Sequence, residues 1–185
     1  MAGVRIRSAR VGDAPAIARI HWDSWVATYT GVFPQAVFDD FSFAQREKLW
    51  THETARHADA SLRRQVLVAE LEGCIAGFAS VGPYRVQESD DPAAALDGEL
   101  FAIYLDPPLQ RKGVGRALWG ASNAWLHGAG FVALRLWCVD GNEAEAFYRA
   151  MGAQCVARKS FDAHGSLLYE SCYRAATHSS PPYSS

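Results

Sequence analysis

The chain switches between two hydrophobic rhythms, and the switches mark out its elements. Residues 4–7 alternate apolar and polar, the period-two pattern of a short strand. Ala18, Trp22, Trp25, Val26 and Tyr29 then recur at the spacing of one helix face. Asp13 stands ahead of that run as a candidate N-cap, with Pro15 in the first turn, where a missing N–H is tolerated. Gly31 and Pro34 break the helix, and a second helical stretch is predicted over residues 42–57, around Trp50. Residues 65–71 and 74–81 read as a hairpin across Glu72-Gly73. Residues 82–97 hold Gly82-Pro83, Glu88, Asp90, Asp91 and Pro92, and are too polar and broken to predict an element. An apolar strand then ends at Asp106-Pro107-Pro108, because consecutive prolines can neither donate to a ladder nor sit inside a helix.

Helical spacing resumes with Val114, Leu118, Ala121 and Trp125 and stops at Gly128-Ala129-Gly130. Residues 131–139 form another apolar strand. Asn142 caps a helix carrying Ala144, Phe147, Tyr148 and Met151, which Gly152 closes. Strands near 154–161 and 166–174 flank a turn at 162–165. The order β-α-α-β-β-β-α-β-α-β-β predicts an α/β (α+β) protein, a mixed sheet with helices on both faces. Residues 176–185 are rich in Ser and Pro and are expected to be a weakly held C-terminal tail.

Composition narrows the partners. With 185 residues, 49% of them hydrophobic, the chain fits one domain with a substantial core. A net charge of −2 gives no basic footprint for nucleic acid. No apolar run approaches the ~20 residues that span a bilayer, and residues 1–7 lack the hydrophobic stretch of a signal peptide. A cytoplasmic location is therefore expected, with no membrane partner. Cys74, Cys138, Cys155 and Cys172 are far apart, form no Cys-x-x-Cys and each sit among apolar residues. Buried free thiols are expected, in preference to disulfides or zinc.

The stretch with the most chemistry joins the strand before Asp106 to the helix after it. Gln110-Arg111-Lys112-Gly113-Val114-Gly115 places two glycines and two cations where a strand hands over to a helix N-terminus. There, unpaired N–H groups and the helix dipole favour a phosphate. It is no Walker A loop, and Leu118 stands where Gly-x-Gly-x-x-Gly needs its last glycine.

The six residues instead resemble the Gln/Arg-x-x-Gly-x-Gly/Ala motif of the GNAT superfamily, the acetyl-CoA-dependent N-acetyltransferases. So does the strand ending Ile103-Tyr104-Leu105-Asp106-Pro107. A second stretch, Trp137 to Gly152, resembles that family's other cofactor motif: a strand, Gly141-Asn142, then a helix with Phe147-Tyr148 before a closing glycine. The likeness is close over residues 98–155 and in outline elsewhere. It implies the GNAT fold, a mostly antiparallel mixed sheet splayed between two parallel strands, here residues 99–105 and 131–139. Residues 1–175 would be a single acetyltransferase domain.

Its implied roles run as follows. Acetyl-CoA is the co-substrate, with no metal. The backbones of Ile103, Tyr104 and Leu105 pair with the pantetheine arm, and one of their N–H groups polarises the acetyl carbonyl. The amides of Arg111, Lys112, Gly113, Val114, Gly115 and Arg116 hold the pyrophosphate, with charge from Arg111, Lys112 and Arg116. Asn142 hydrogen-bonds the pantetheine, and also reads as an N-cap with Glu145 completing the box. Tyr148 is the general acid, a phenol able to donate a proton while neutral at pH 7. Glu99 is the candidate base, since a carboxylate leading an apolar strand is costly to bury and should face the cleft or a water. Asp140 is held in reserve.

The acceptor pocket in such proteins draws on the N-terminal helices and the loop before the central strand, here Trp22, Trp25, Tyr29, Phe33 and residues 88–91. Trp25 and Tyr29 are the substrate-binding candidates. The expected reaction is acetylation of a small-molecule primary amine by direct attack in a ternary complex. A protein or peptide acceptor, or a non-catalytic acyl-CoA-binding module, are the alternatives. Exposed strand edges make a homodimer plausible.

Overall fold

A computed structural model describes residues 3–56, 59–88 and 90–179. In chain order the elements are β1 (Arg5–Ser8), α1 (Ala14–Tyr29), α2 (Gln35–Asp40), α3 (Phe43–Arg56), β2 (Gln65–Leu71) and β3 (Cys74–Pro83). There follow β4 (Gly98–Leu105), α4 (Val114–Gly128), β5 (Ala133–Val139), α5 (Ala144–Ala150), β6 (Gln154–Ala163) and β7 (Ser166–Ala176). The strands form one seven-stranded sheet in the order β1-β2-β3-β4-β5-β7-β6. Every pair is antiparallel except β4 with β5.

Two cores cover the two faces. On one, α4 and α5 press Leu118, Trp119, Leu126, Tyr148 and Met151 onto Leu100, Leu134, Leu136 and Cys138. On the other, Ile17, Ala18 and Ile20 of α1 and Trp50 of α3 pack on Val66, Val68 and Phe78. Burying each such Leu or Ile side chain contributes about 2 kcal/mol. Trp50 donates its indole N–H to Nδ1 of His21 at 2.9 Å, tying α3 to α1. Burial, helped by the nearby Arg46 charge, pulls the His21 pKa down to about 3, so that ring is a neutral acceptor.

A bulge decides which face each β4 side chain reaches. Ser80 stands opposite Ala102 and Val81 opposite Leu100, leaving Phe101 as the extra residue. Leu100 therefore joins the α4 face together with Ile103 and Leu105, while Ala102 and Tyr104 pack toward α1. Strict alternation would have put Leu100 on Tyr104's side.

Several sequence expectations are corrected. The break at Gly31 and Pro34 is followed by a further short helix, α2, whose six residues are too few to show a period. Residues 82–97 are not wholly irregular. β3 runs to Pro83, and Pro92–Leu96 wind into a 3-10 turn capped by Asp91, whose carboxylate accepts the Ala93 N–H at 2.8 Å. Asp13 does not cap α1 with its side chain. Its carboxylate turns back to Arg7 at 2.6 and 3.0 Å and to the Arg10 N–H at 2.7 Å, because a half-buried guanidinium is a stronger partner than a helix amide. All four cysteines are free, but only Cys138 and Cys172 are buried; Cys74 and Cys155 are exposed. Past β7, Thr177 bonds the carbonyls of Val132 and Phe131, and the His178 N–H bonds Asn123. Residues 180–185 of the expected tail, and His57 at the end of the second helical stretch, lie outside the described residues.

Candidate active site

The sheet is closed at one end of its parallel pair and open at the other. β4 and β5 pair only at Gly98 with Leu134 and Glu99 with Arg135. Beyond that, β5 stays with β7 along its whole length and β4 stays with β3. The side of β4 facing β5 therefore has no partner strand along residues 100–105.

Charge pins the closed end. Asp97, 1% exposed, accepts from Arg135 Nε at 2.6 Å and from Arg174 Nε and Nη2 at 2.9 and 3.1 Å. Burial alone would raise its pKa, but hydrogen bonds from Arg174 and Arg135 outweigh it and hold the carboxyl below its usual range. The Val132 N–H bonds the Leu96 carbonyl at 3.0 Å. A Cβ on Gly98 would stand 2.4 Å from the Leu126 side chain, so a larger residue there would push the buried Leu126 of α4 aside. Glu99 is 2% exposed and fully engaged. It accepts the Arg85 N–H at 3.0 Å, Arg85 Nε at 3.0 and 3.2 Å, and Arg85 Nη2.

At the open end, the chain leaves β4 through a turn and enters α4. Gly113 precedes α4 with φ +82°, which any side chain would strain, and Arg111 is also left-handed at φ +63°. The backbone N–H groups of residues 111–115 meet no acceptor among the described residues. Gln110, Arg111, Lys112 and Arg116 are exposed around them. Amides that converge without an acceptor, beside three cations, fit a pyrophosphate. Val114 is buried behind the cradle, and Gly115 faces Phe147 and Leu105. The Leu105 carbonyl already accepts Ser24 Oγ at 2.6 Å, so α1 braces the strand edge where it opens.

Side chains from both faces meet in the gap. Tyr148 is 8% exposed among Trp119, Phe147 and Tyr173, and its hydroxyl has no hydrogen-bond partner among the described residues. Burial pushes its pKa well above that of a free phenol, with smaller contributions from Cys138, Tyr104 and Tyr29. Burial likewise raises the Cys138 thiol to about 12 and the Tyr29 phenol to about 12. Asn142 Nδ2 donates to the Tyr29 hydroxyl at 3.1 Å, while its Oδ1 accepts the Ala144 N–H at 2.9 Å. Glu145 accepts from Gly141 N–H at 2.8 Å, so the expected capping box is displaced by one residue. Asp140 is held by Ser171 Oγ at 2.7 Å and Arg158 Nε at 2.6 Å, which keep its carboxyl below the usual range.

On the α1 side of the gap lies a pocket of about 490 Å³. Trp25 and Tyr29 from the end of α1, Phe33, and Phe41 beyond α2 make its aromatic wall. Trp137 and Val139 of β5, Phe161 of β6 and Glu170 of β7 make the other. His164, which lines the pocket, has its Nε2 2.8 Å from Asp40 Oδ2 and so links the β6–β7 turn to α2. Trp22, Glu88, Asp90 and Asp91 do not line it; Asp90 pairs instead with Arg135 at 3.5 Å. Sequence reasoning missed Arg46, Trp137, Phe161, His164 and Glu170, which reach the pocket only through tertiary contacts. For Trp137 and Phe161 the prior signal was the aromatic content of their strands; Arg46 on α3, His164 in the β6–β7 turn and Glu170 gave none.

Residues 15–153 match the sequence profile of the acetyltransferase (GNAT) family. An uncharacterized N-acetyltransferase of Bacillus subtilis, YuaI, is 32% identical over 167 residues, 90% of each chain. The crystal structure of PaiA N-acetyltransferase from Thermoplasma acidophilum, in complex with coenzyme A, superposes with a TM-score of 0.71 at 20% identity, over 91% of this chain and 98% of that one. YncA of Salmonella typhimurium, a putative acetyltransferase solved with acetyl-CoA, gives 0.69 at 21% identity, over 98% and 99%. The chain belongs to the GNAT acetyltransferase family, and its splayed mixed sheet is the GNAT fold. No helix among the described residues is long and apolar enough to cross a membrane.

Proposed function

We propose that this chain moves the acetyl group of acetyl-CoA to the primary amine of a small molecule by direct attack in a ternary complex. The observation that carries this reading is the open end of the β4–β5 pair, with bare backbone donors at one mouth and an aromatic pocket at the other. Acetyl-CoA supplies an activated thioester. Toward it, residues 111–116 offer amides and charge for the pyrophosphate. The unpaired edge at Ile103, Tyr104 and Leu105 offers main-chain groups to the pantetheine arm, and Asn142 a side-chain amide. One N–H of that edge holds the carbonyl oxygen as charge develops on it.

In the transfer, the amine lone pair forms the C–N bond and the C–S bond leaves its electrons on sulfur. The amine gives up one proton and the thiolate takes one. Tyr148 donates the second, because burial keeps its phenol protonated. Glu99 is the candidate for the first proton, and it can act only when Arg85, whose side chain is 66% exposed, swings off its oxygens. Glu170 is the second candidate. It lines the pocket with Lys159 Nζ at 3.4 Å as its ion-pair partner, and its charge reaches Tyr29 and Cys138.

The pocket's modest volume favours a compact acceptor over an extended peptide. Thiol release from acetyl-CoA with a panel of amines and peptides is the test. Release with small amines supports the reading. Release with peptides alone would reassign the acceptor, and bound acetyl-CoA without release would leave a regulatory module. Because a free alkylamine has a pKa near ~10.4, Glu99→Gln should lose most rate at low pH and recover at high pH. A pH-independent loss would mark a binding role, and no loss would pass the proton to Glu170.

A further inference from the structure

The pocket contains a guanidinium that finds no hydrogen-bonding partner among the described residues. Its ionisable lining residues are Arg46, Asp162, His164 and Glu170. Three of them have partners. Asp162 accepts the Gly165 N–H at 3.1 Å, His164 contacts Asp40 and Glu170 pairs with Lys159. The side chain of Arg46, from the first turn of α3, makes no hydrogen bond or ion pair to any described residue, and its Nε is buried without an acceptor.

The guanidinium lies 4.6 Å from the ring centroid of Phe41 and 5.7 Å from that of Trp25. Ring faces attract the charge, but they take up none of its five N–H donors in the way an oxyanion does. Desolvation lowers the Arg46 pKa from its ordinary value, the mark of a cation withdrawn from water without a counter-ion. A half-buried guanidinium whose Nε is buried and unpaired beside an aromatic wall has the donors for a bidentate carboxylate or phosphonate.

We propose that the acceptor is a small zwitterion, a primary amine that also carries a carboxylate or phosphonate, and that Arg46 binds this acidic group. The inference rests on the acetyl transfer proposed above and narrows its substrate from amines in general to amino-acid-like molecules. Arg46 sets the polarity of binding. With the acid at the α3 end, the amine is turned toward Tyr29 and Glu170, where the pocket meets the gap. A volume of about 490 Å³ admits such a molecule whole.

The experiment compares matched acceptors: free amino acids, the same amino acids as carboxamides, and aminoalkylphosphonates, with thiol release from acetyl-CoA as readout. The wild type should prefer acid-bearing acceptors by ~10²-fold in kcat/KM, the scale for truncating a buried charge pair. In Arg46→Gln that ratio should collapse toward one through KM, with Arg46→Lys between them because it keeps charge and loses the fork. The phosphonate arm reports which oxyanion fits. Acetyl-CoA affinity by calorimetry is measured on each variant as the control for folding. Equal use of carboxamides by the wild type, or a ratio unchanged in Arg46→Gln, overturns the inference while leaving acetyl transfer standing. If no acceptor releases thiol, calorimetry with the amino acids alone decides: binding lost in Arg46→Gln keeps the anion site, and equal binding removes it.

Discussion

The two mouths of the splayed sheet are built in opposite ways. The donor side is local: β4, one turn and the start of α4 follow each other in sequence, and their chemistry is mostly backbone. The acceptor side is assembled. α1, the chain past α2, α3, β5, β6 and β7 each lend it one or a few side chains, from Trp25 to Glu170. A backbone site tolerates almost any side chain that does not intrude, so it can serve one fixed ligand under much sequence change. A side-chain site is rewritten by single substitutions, and on the function proposed above specificity would reside there.

The seam between them should give the largest effect. Tyr148→Phe removes one hydroxyl from a residue packed among Trp119, Phe147 and Tyr173. We expect kcat to fall ~10²–10⁴-fold with donor and acceptor affinities preserved. Full turnover in the variant would return Tyr148 to a packing role and leave the two mouths without a shared acid.

Next is the closed end, on which both mouths depend. Asp97→Asn keeps the volume and leaves Arg135 and Arg174 without their carboxylate. Losing one partner of a buried pair costs about 3–5 kcal/mol, readable by denaturant unfolding. Because the folded pKa lies below the unfolded one, this stability is complete above about pH 4 and is lost as pH falls further. The gap between wild type and variant should therefore narrow in acid. A gap independent of pH would mean that shape, not charge, closes the sheet.

Legibility followed the same division. The strand stop at Asp106-Pro107-Pro108, the glycine turn and the helix after it are dictated by φ limits and missing donors, which a sequence displays directly. The order of strands and helices was readable from period, whereas the splay of the sheet between β4 and β5 came from the family resemblance. The β4 bulge was not, because an extra residue at Phe101 is fixed by pairing with β3. Nor was the capture of Glu99 by Arg85, since the sequence displays a costly buried carboxylate but not the residue fourteen positions away that satisfies it. Arg46 looks like any cation in the polar helix Phe43–Arg56, and only the fold puts its guanidinium against Trp25.

Gly113→Val sharpens the contrast at the donor mouth. Open space surrounds this residue, so a side chain there meets no clash, only the strain of φ +82°. That strain is about 1–2 kcal/mol. Acetyl-CoA affinity by calorimetry should drop ~10-fold or more, with the acceptor KM little changed. A variant that binds acetyl-CoA normally would remove the turn from the pyrophosphate site.

The smallest expected effect tests whether the two mouths are independent at all. The hydrogen bond from Asn142 Nδ2 to the Tyr29 hydroxyl, at 3.1 Å, joins a residue of the donor motif to one of the acceptor wall. The Asn142 amide is already oriented by the Ala144 N–H on its oxygen, so it presents its nitrogen to Tyr29. Burial holds the Tyr29 pKa at about 12, so the phenol stays neutral and the contact should be insensitive to pH from 6 to 10. A neutral hydrogen bond contributes about 0.5–1.5 kcal/mol, so Tyr29→Phe should raise KM for both substrates by no more than ~10-fold. A double-mutant cycle with Asn142→Ala is the sharper measurement. If the bond couples the mouths, the second change costs little once the first is made, and the coupling energy recovers most of the single effect. Strict additivity would mean that Tyr29 serves only the acceptor wall and Asn142 only the donor.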